Sequence, residues 1–155
     1  MKNSSVKKIL EKQTTCAFVP KGVSMWPFIK NKKHTVIIKK PDNPLCVFDV
    51  IFYTTCEDRE VLHRVIEING ENIITMGDGL IEPERVDIKN VFGVMQGYYV
   101  GKKFIDAKDP KYLKKVAKWY SNAKKRRRKI KNYKLRLKIK NKIIRILNKG
   151  KEDNV

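Results

Sequence analysis

The chain is 155 residues long, with 36 Lys and Arg against 16 Asp and Glu and a formal net charge of +20. That length suits one domain plus an appendage, and no apolar run approaches the ~20 residues of a membrane span. Cys16, Cys46 and Cys56 are odd in number and lack Cys-x-x-Cys spacing, which argues for reduced thiols and against a disulfide frame.

Other classes fall away in the same manner. Cys46, Cys56, His34 and His63 could be gathered around zinc, but no pair has ligand spacing, so neither a metal nor a cofactor is expected. Residues 1–12 lack the roughly 7–15 residue apolar core of a secretory signal. The expected location is therefore cytoplasmic. The charge is also unevenly placed: residues 111–149 carry 18 Lys or Arg and no acid, whereas residues 1–110 carry 17 basic and 14 acidic residues. A nearly neutral domain is followed by a strongly basic tail.

In chain order, residues 1–13 predict a short helix, with Ser5 as its cap and Val6, Ile9 and Leu10 on one face. Residues 14–105 predict a β-rich domain. Thr14–Val19 is rich in strand formers and stops at Pro20. Thr35–Lys39 is a second strand, Pro41–Pro44 a turn, and Val47–Tyr53 a third strand with Asp49 at its edge. Val61–Ile68 alternates, setting Leu62, Arg64, Ile66 and Ile68 against Val61, His63, Val65 and Glu67. Asn69-Gly70 is a hairpin signal, and Asn72–Met76 returns. Gly77-Asp78-Gly79 breaks the chain. Val91–Val100 is the last long strand, and its two glycines suggest a bulge or bend. The turn spacing is that of a small barrel or paired sheets. Residues 110–149 then carry two helical stripes: Tyr112 to Ala123, and Leu135, Ile139, Ile143, Ile146 and Leu147.

The stretch that stands out chemically is Gly22-Val23-Ser24-Met25-Trp26-Pro27-Phe28. Proline restricts the residue before it and Gly22 permits a sharp turn. The Ser24 hydroxyl is thereby held beside an apolar ledge of Met25, Trp26 and Pro27, as a nucleophile facing an extended peptide requires. Serine needs a base. His34 lies in a Lys-rich turn and is expected to be exposed. His63, with an ordinary pKa near ~6.5, is the side chain able to act as a base at neutral pH. Asp78 lies one hairpin arm further on, where a carboxylate could orient the imidazole.

The ordered set Ser-Met-x-Pro, Phe-Asp-Val-Ile-Phe-Tyr, His-Arg-Val-Ile, Gly-Asp and Val-Phe-Gly-Val resembles the type I signal peptidase family. Within it, the set is similar to the ER-type branch, also found in sporulating bacteria, where histidine replaces the general-base lysine. Self-cleaving SOS repressors are more distant relatives. The resemblance covers roughly residues 14–101. It implies a mainly β, small open β-barrel-like fold, to which charge and periodicity add a basic C-terminal helical extension, and a serine endopeptidase with a Ser-His dyad that cleaves a leader or precursor peptide. It also implies Ser24 as nucleophile, His63 as base and Asp78 as orienting acid; on the loop's own chemistry, Gly22, Met25, Trp26 and Pro27 are the residues expected to contact substrate.

The sequence departs from the family in three places. About 23 largely polar residues precede the serine, where members usually carry a transmembrane segment. The second Asp often found after Gly-Asp is absent from Leu80-Ile-Glu-Pro-Glu-Arg-Val86, so either Glu82 or Glu84 stands in for it or the position is empty. Gly22 occupies the position where some relatives have an oxyanion-hole serine. The basic tail has an apolar face suited to an anionic membrane surface, which would place the chain peripherally on the inner face, or to packing on the β domain. The alternative is a catalytically inactive binding protein whose tail meets nucleic acid or a membrane. No DNA-reading module is recognisable.

Overall fold

The computed structural model describes residues 6–152. Eight strands form one antiparallel sheet: β1 (Thr15–Phe18), β2 (His34–Lys39), β3 (Val50–Thr54), β4 (Glu60–Asn69), β5 (Asn72–Met76), β6 (Glu84–Asp87), β7 (Val91–Val100) and β8 (Lys103–Asp106). The order is β1-β2-β7-β3-β4-β5-β6, with β8 also paired to β7. The fold is thus mainly β. The sheet is open, with β1 and β6 at the ends of the path, and no closed barrel forms among the described residues.

The hairpin falls where Asn69-Gly70 predicts it. Asn69 pairs with Asn72, so Gly70 and Glu71 are the loop residues, and Gly70 takes φ +60°. The third strand begins later than expected, at Val50. Before it, the Cys46 N–H donates to Asp49 Oδ2 at 2.9 Å and Phe48 takes φ +76°, a turn that consumes the start of the expected strand. Two short strands gave no clear signal in sequence. Glu84-Arg85-Val86-Asp87 and Lys103-Phe104-Ile105-Asp106 are too brief and too charged for period-two alternation to register.

Ile51, Tyr53, Val65, Ile73 and Val86 form a buried core cluster, with Val61 and Ile68 packed against it. The position of Ile68 corrects the expectation that it shares a face with Leu62 and Arg64. The β4–β5 register shifts between Val65 and Glu67. One extra residue there sends every later side chain to the opposite face. Register also shifts along β7, where Ile37 and Ile38 oppose Gly97 and Met95, and where Phe52 and Tyr53 oppose Gly93 and Val91. Phe52 meets Phe18 and Phe92 edge-on, at 5.6 and 5.8 Å. The first helix, α1 (Val6–Lys12), buries Leu10, whose Cδ1 would lie 3.2 Å from a Cβ at Gly93. The expected Ser5 cap lies outside the described residues.

The chain divides into two compact units, residues 1–118 and 119–155. Helix α2 (Pro110–Tyr120) starts on Asp109, whose Oδ1 accepts from the Tyr112 N–H at 2.8 Å. Helix α3 (Ala123–Glu152) starts on Asn122, whose Oδ1 accepts from the Lys125 N–H at 2.8 Å. Both bonds satisfy donors at a helix start. The helical stripes of the tail are therefore carried on two helices. Leu135, Ile139, Ile143, Ile146 and Leu147 are all more than half exposed, at 51–61%. No helix among the described residues is long and apolar enough to cross a membrane.

Candidate active site

The site is built in the first unit from a loop, a strand and a glycine turn. The loop between β1 and β2 is closed near its base by Lys32 N–H to the Pro20 carbonyl at 3.4 Å, and by Gly22 N–H to Asn31 Oδ1 at 3.2 Å. Within it, Trp26 N–H bonds the Val23 carbonyl at 3.1 Å and Ile29 N–H the Met25 carbonyl at 2.9 Å. Gly22 takes φ +92°, which a residue with a Cβ rarely adopts. Met25 and Ile29 are buried and anchor the loop. Ser24 sits between this glycine and these anchors. The Trp26–Pro27 peptide is cis.

Gly77-Asp78-Gly79 is the backing of that loop. The Gly79 N–H donates to the Ser24 carbonyl at 2.7 Å. A Cβ at Gly77 would lie 2.6 Å from the Ser24 carbonyl oxygen, and one at Gly79 would lie 2.5 Å from that of Val23. Both positions require glycine because backbone meets backbone there.

Asp78 does not orient the histidine by a hydrogen bond of the expected kind. Its carboxylate accepts from Arg64 Nε and Nη2, each at 2.8 Å, and both side chains are 0% exposed. Arg64 also donates to the Phe48 carbonyl and the Tyr112 hydroxyl, each at 2.8 Å. Its guanidinium lies 5.5 Å from the centre of the Phe28 ring and 5.6 Å from that of Tyr112. Burial by itself would lower the Arg64 pKa, but Asp78 beside it wins and holds it above its ordinary value. Asp78 is therefore a scaffold residue: it ties β4 to the turn that supports Ser24. The sequence carried a signal for this, because an arginine inside the run Val61–Ile68 needs a buried partner.

His63 precedes Arg64 on β4 and points to the opposite face. Ser24 and His63 line one cleft of about 860 Å³, together with Gly22, Met25, Phe52 and Leu62. No direct hydrogen bond joins the two side chains. Of the residues expected to contact substrate, Gly22 and Met25 line this cleft, and Trp26 and Pro27 do not. The turn from Val23 to Trp26 and the bond from Ile29 back to Met25 coil the loop, so successive side chains leave the cleft wall.

The acid that approaches His63 is Glu84, with Oε2 3.8 Å from Nδ1. Tyr53 stands between them. Its hydroxyl is 3.0 Å from His63 Nδ1, 2.6 Å from Glu84 Oε2 and 3.1 Å from Thr75 Oγ1. Glu82, the other substitute, is exposed. Burial pushes the His63 pKa below its ordinary value, against the opposing pull of Glu84 and Asp78. The imidazole is thus neutral at pH 7, the form a base requires. Tyr53 was not singled out in sequence, since a tyrosine ending an apolar strand reads as core.

His34 corrects another expectation. It opens β2, is buried, stacks on Tyr98 at 5.2 Å and accepts from the Lys30 N–H through Nδ1 at 3.3 Å. Cys46 and Cys56 are exposed. No group of three or more His, Cys, Asp or Glu placed to hold a metal occurs among the described residues. No family model matches the chain, and no match is found among curated proteins or solved structures.

Proposed function

We propose that this protein is a serine endopeptidase of signal-peptidase-like type, working with a Ser24–His63 dyad. The observation that carries this reading is that a serine on a braced loop and a neutral, hydrogen-bonded histidine open onto one cleft. Ser24 Oγ attacks the scissile carbonyl carbon while its proton passes to His63. Collapse of the tetrahedral intermediate returns that proton to the departing amine and leaves an acyl ester on Ser24. Water, deprotonated by the same imidazole, then releases the acid product. With glycine at position 22, oxyanion stabilisation falls to backbone N–H groups, chiefly that of Ser24.

The substrate is an extended leader or precursor peptide. β1 ends the sheet path, pairing with β2 alone among the described strands, and Phe18, Val19 and Pro20 run from it along the cleft. A peptide added to that edge would pass Ser24. The decisive experiment is labelling with a fluorophosphonate probe followed by peptide mapping. Modification at Ser24, absent in Ser24→Ala and strongly reduced in His63→Ala, supports the dyad. Equal labelling of wild type and Ser24→Ala would end it.

The basic tail serves as a peripheral anchor on an anionic, inner-face membrane surface. Helix α3 has no acidic residue before Glu152 and exposes an Ile/Leu stripe. Basic residues near an anionic leaflet contribute about 1 kcal/mol each, and the apolar stripe enters the acyl boundary. Binding to anionic but not neutral vesicles supports this. Binding to RNA or DNA in place of vesicles would transfer the tail to the nucleic-acid alternative.

A further inference from the structure

We infer that Tyr53 is a positioning residue that holds His63 in its base-competent tautomer and couples it to Glu84; this rests on the peptidase reading above. The argument is one of donors and acceptors. A tyrosine hydroxyl has one proton to give and can accept, while an ionised carboxylate can only accept. Tyr53 lies 2.6 Å from Glu84 Oε2, so its proton goes to the carboxylate. The same oxygen is 3.0 Å from His63 Nδ1. With its proton spent on Glu84, Tyr53 must accept there, and His63 must donate Nδ1–H. A neutral imidazole carrying its proton on Nδ1 has its lone pair on Nε2. That nitrogen is the one left for the cleft and the serine proton.

Four strands build this arrangement. Tyr53 comes from β3, His63 from β4, Thr75 from β5 and Glu84 from β6. In the ladder, Ile51 opposes His63, Val65 opposes Thr75 and Thr75 opposes Glu84, so register places Tyr53, His63, Thr75 and Glu84 on one face. Tyr53 is fully buried, and burial together with Glu84 raises its pKa, which keeps it a proton donor throughout the working range. The charged groups around the imidazole are Glu84, Asp78 (already paired with Arg64), and Arg59 and Glu60 on the cleft wall. Glu84 is the one that meets Tyr53. Its side chain is 39% exposed, so water can reach the far side of the carboxylate.

The test uses the full chain. In ¹⁵N-labelled wild type, His63 should show the Nδ1–H tautomer, with Nε2 unprotonated. Tyr53→Phe removes one oxygen from a packed ring and should shift His63 toward a tautomer mixture. The maximal rate of fluorophosphonate labelling should fall about 100-fold, the lower range for a mispositioned base, with probe affinity changed less than about twofold. Glu84→Gln keeps an acceptor for Tyr53, so the tautomer should persist. Losing the negative charge should lower the His63 pKa and move the acid limb of labelling to lower pH. An unchanged tautomer in Tyr53→Phe overturns the proposal, whatever happens to the rate. If wild type itself is never labelled, the peptidase reading fails, and the tautomer measurement still decides the role of Tyr53.

Discussion

His63 and Arg64 are neighbours on β4, each has a carboxylate close by, and the two pairs differ in nearly every physical respect. Arg64 and Asp78 are sealed from water and joined by two hydrogen bonds of 2.8 Å. The two further Arg64 bonds go to Phe48 and Tyr112. His63 is 9% exposed, its acid is 39% exposed, and the 3.8 Å between them is bridged by a tyrosine. A charge pair with its main groups satisfied holds backbone together and has little capacity left for exchange. A pair with one ring nitrogen uncommitted can accept a proton and give it back. Alternation along one strand sends the two side chains to opposite faces, where each meets a different carboxylate.

The largest expected effect lies on the chemical side. Ser24→Ala should abolish fluorophosphonate labelling while leaving the unfolding midpoint nearly unchanged. His63→Ala should match the loss within about tenfold, because members of such a unit act together. Cleavage that survives Ser24→Ala at the wild-type rate would remove the dyad.

On the structural side, Asp78→Ala strands a buried guanidinium and should cost about 3–5 kcal/mol of folding stability, read by denaturant unfolding. Glu84→Gln should cost less than about 1 kcal/mol, as a half-exposed acid whose hydrogen bond is retained. The contrast breaks if Asp78→Ala silences labelling with its stability intact, since Asp78 would then act on the chemistry directly. Gly79→Ala should fall between these two, at about 1–3 kcal/mol, because its Cβ would meet the Val23 carbonyl at 2.5 Å.

Smaller effects come from the tail and from pH. Replacing Leu135, Ile139 and Ile143 with Ser should weaken binding to anionic vesicles and shrink the blue shift of tryptophan fluorescence, leaving labelling in solution untouched. High salt should release the protein partially, as screening shortens electrostatic reach. Labelling should rise with pH through a midpoint below the ordinary imidazole value, because burial lowers the His63 pKa. The same shift affects folding with a definite sign. The folded state disfavours imidazolium, so the contribution of His63 to stability is complete above its unfolded pKa of ~6.5. It is lost as pH falls from there through the lower folded value.

Local chemistry made much of this chain legible from sequence. Alternation marked β4, Asn69-Gly70 marked the hairpin, and the acid-free run at 111–149 marked a basic helical tail. Gly22 and Pro27 drew attention to the serine loop, and the ordinary pKa of a free imidazole made His63 a candidate base. These are signals carried by residues a few positions apart, which is the range over which backbone preference and periodicity act. The assignments that depended on distant partners were decided by the tertiary structure. Asp78 was free in sequence to serve His63 or Arg64, and β4 packing against the glycine turn gave it to Arg64. Ile68 changed face because of a bulge that alternation cannot anticipate. Tyr53 and Glu84, 31 residues apart, met beneath His63 because β3, β4, β5 and β6 lie side by side. Strand register determines which buried polar groups find one another, and a carboxylate takes its role from the donor that register brings to it.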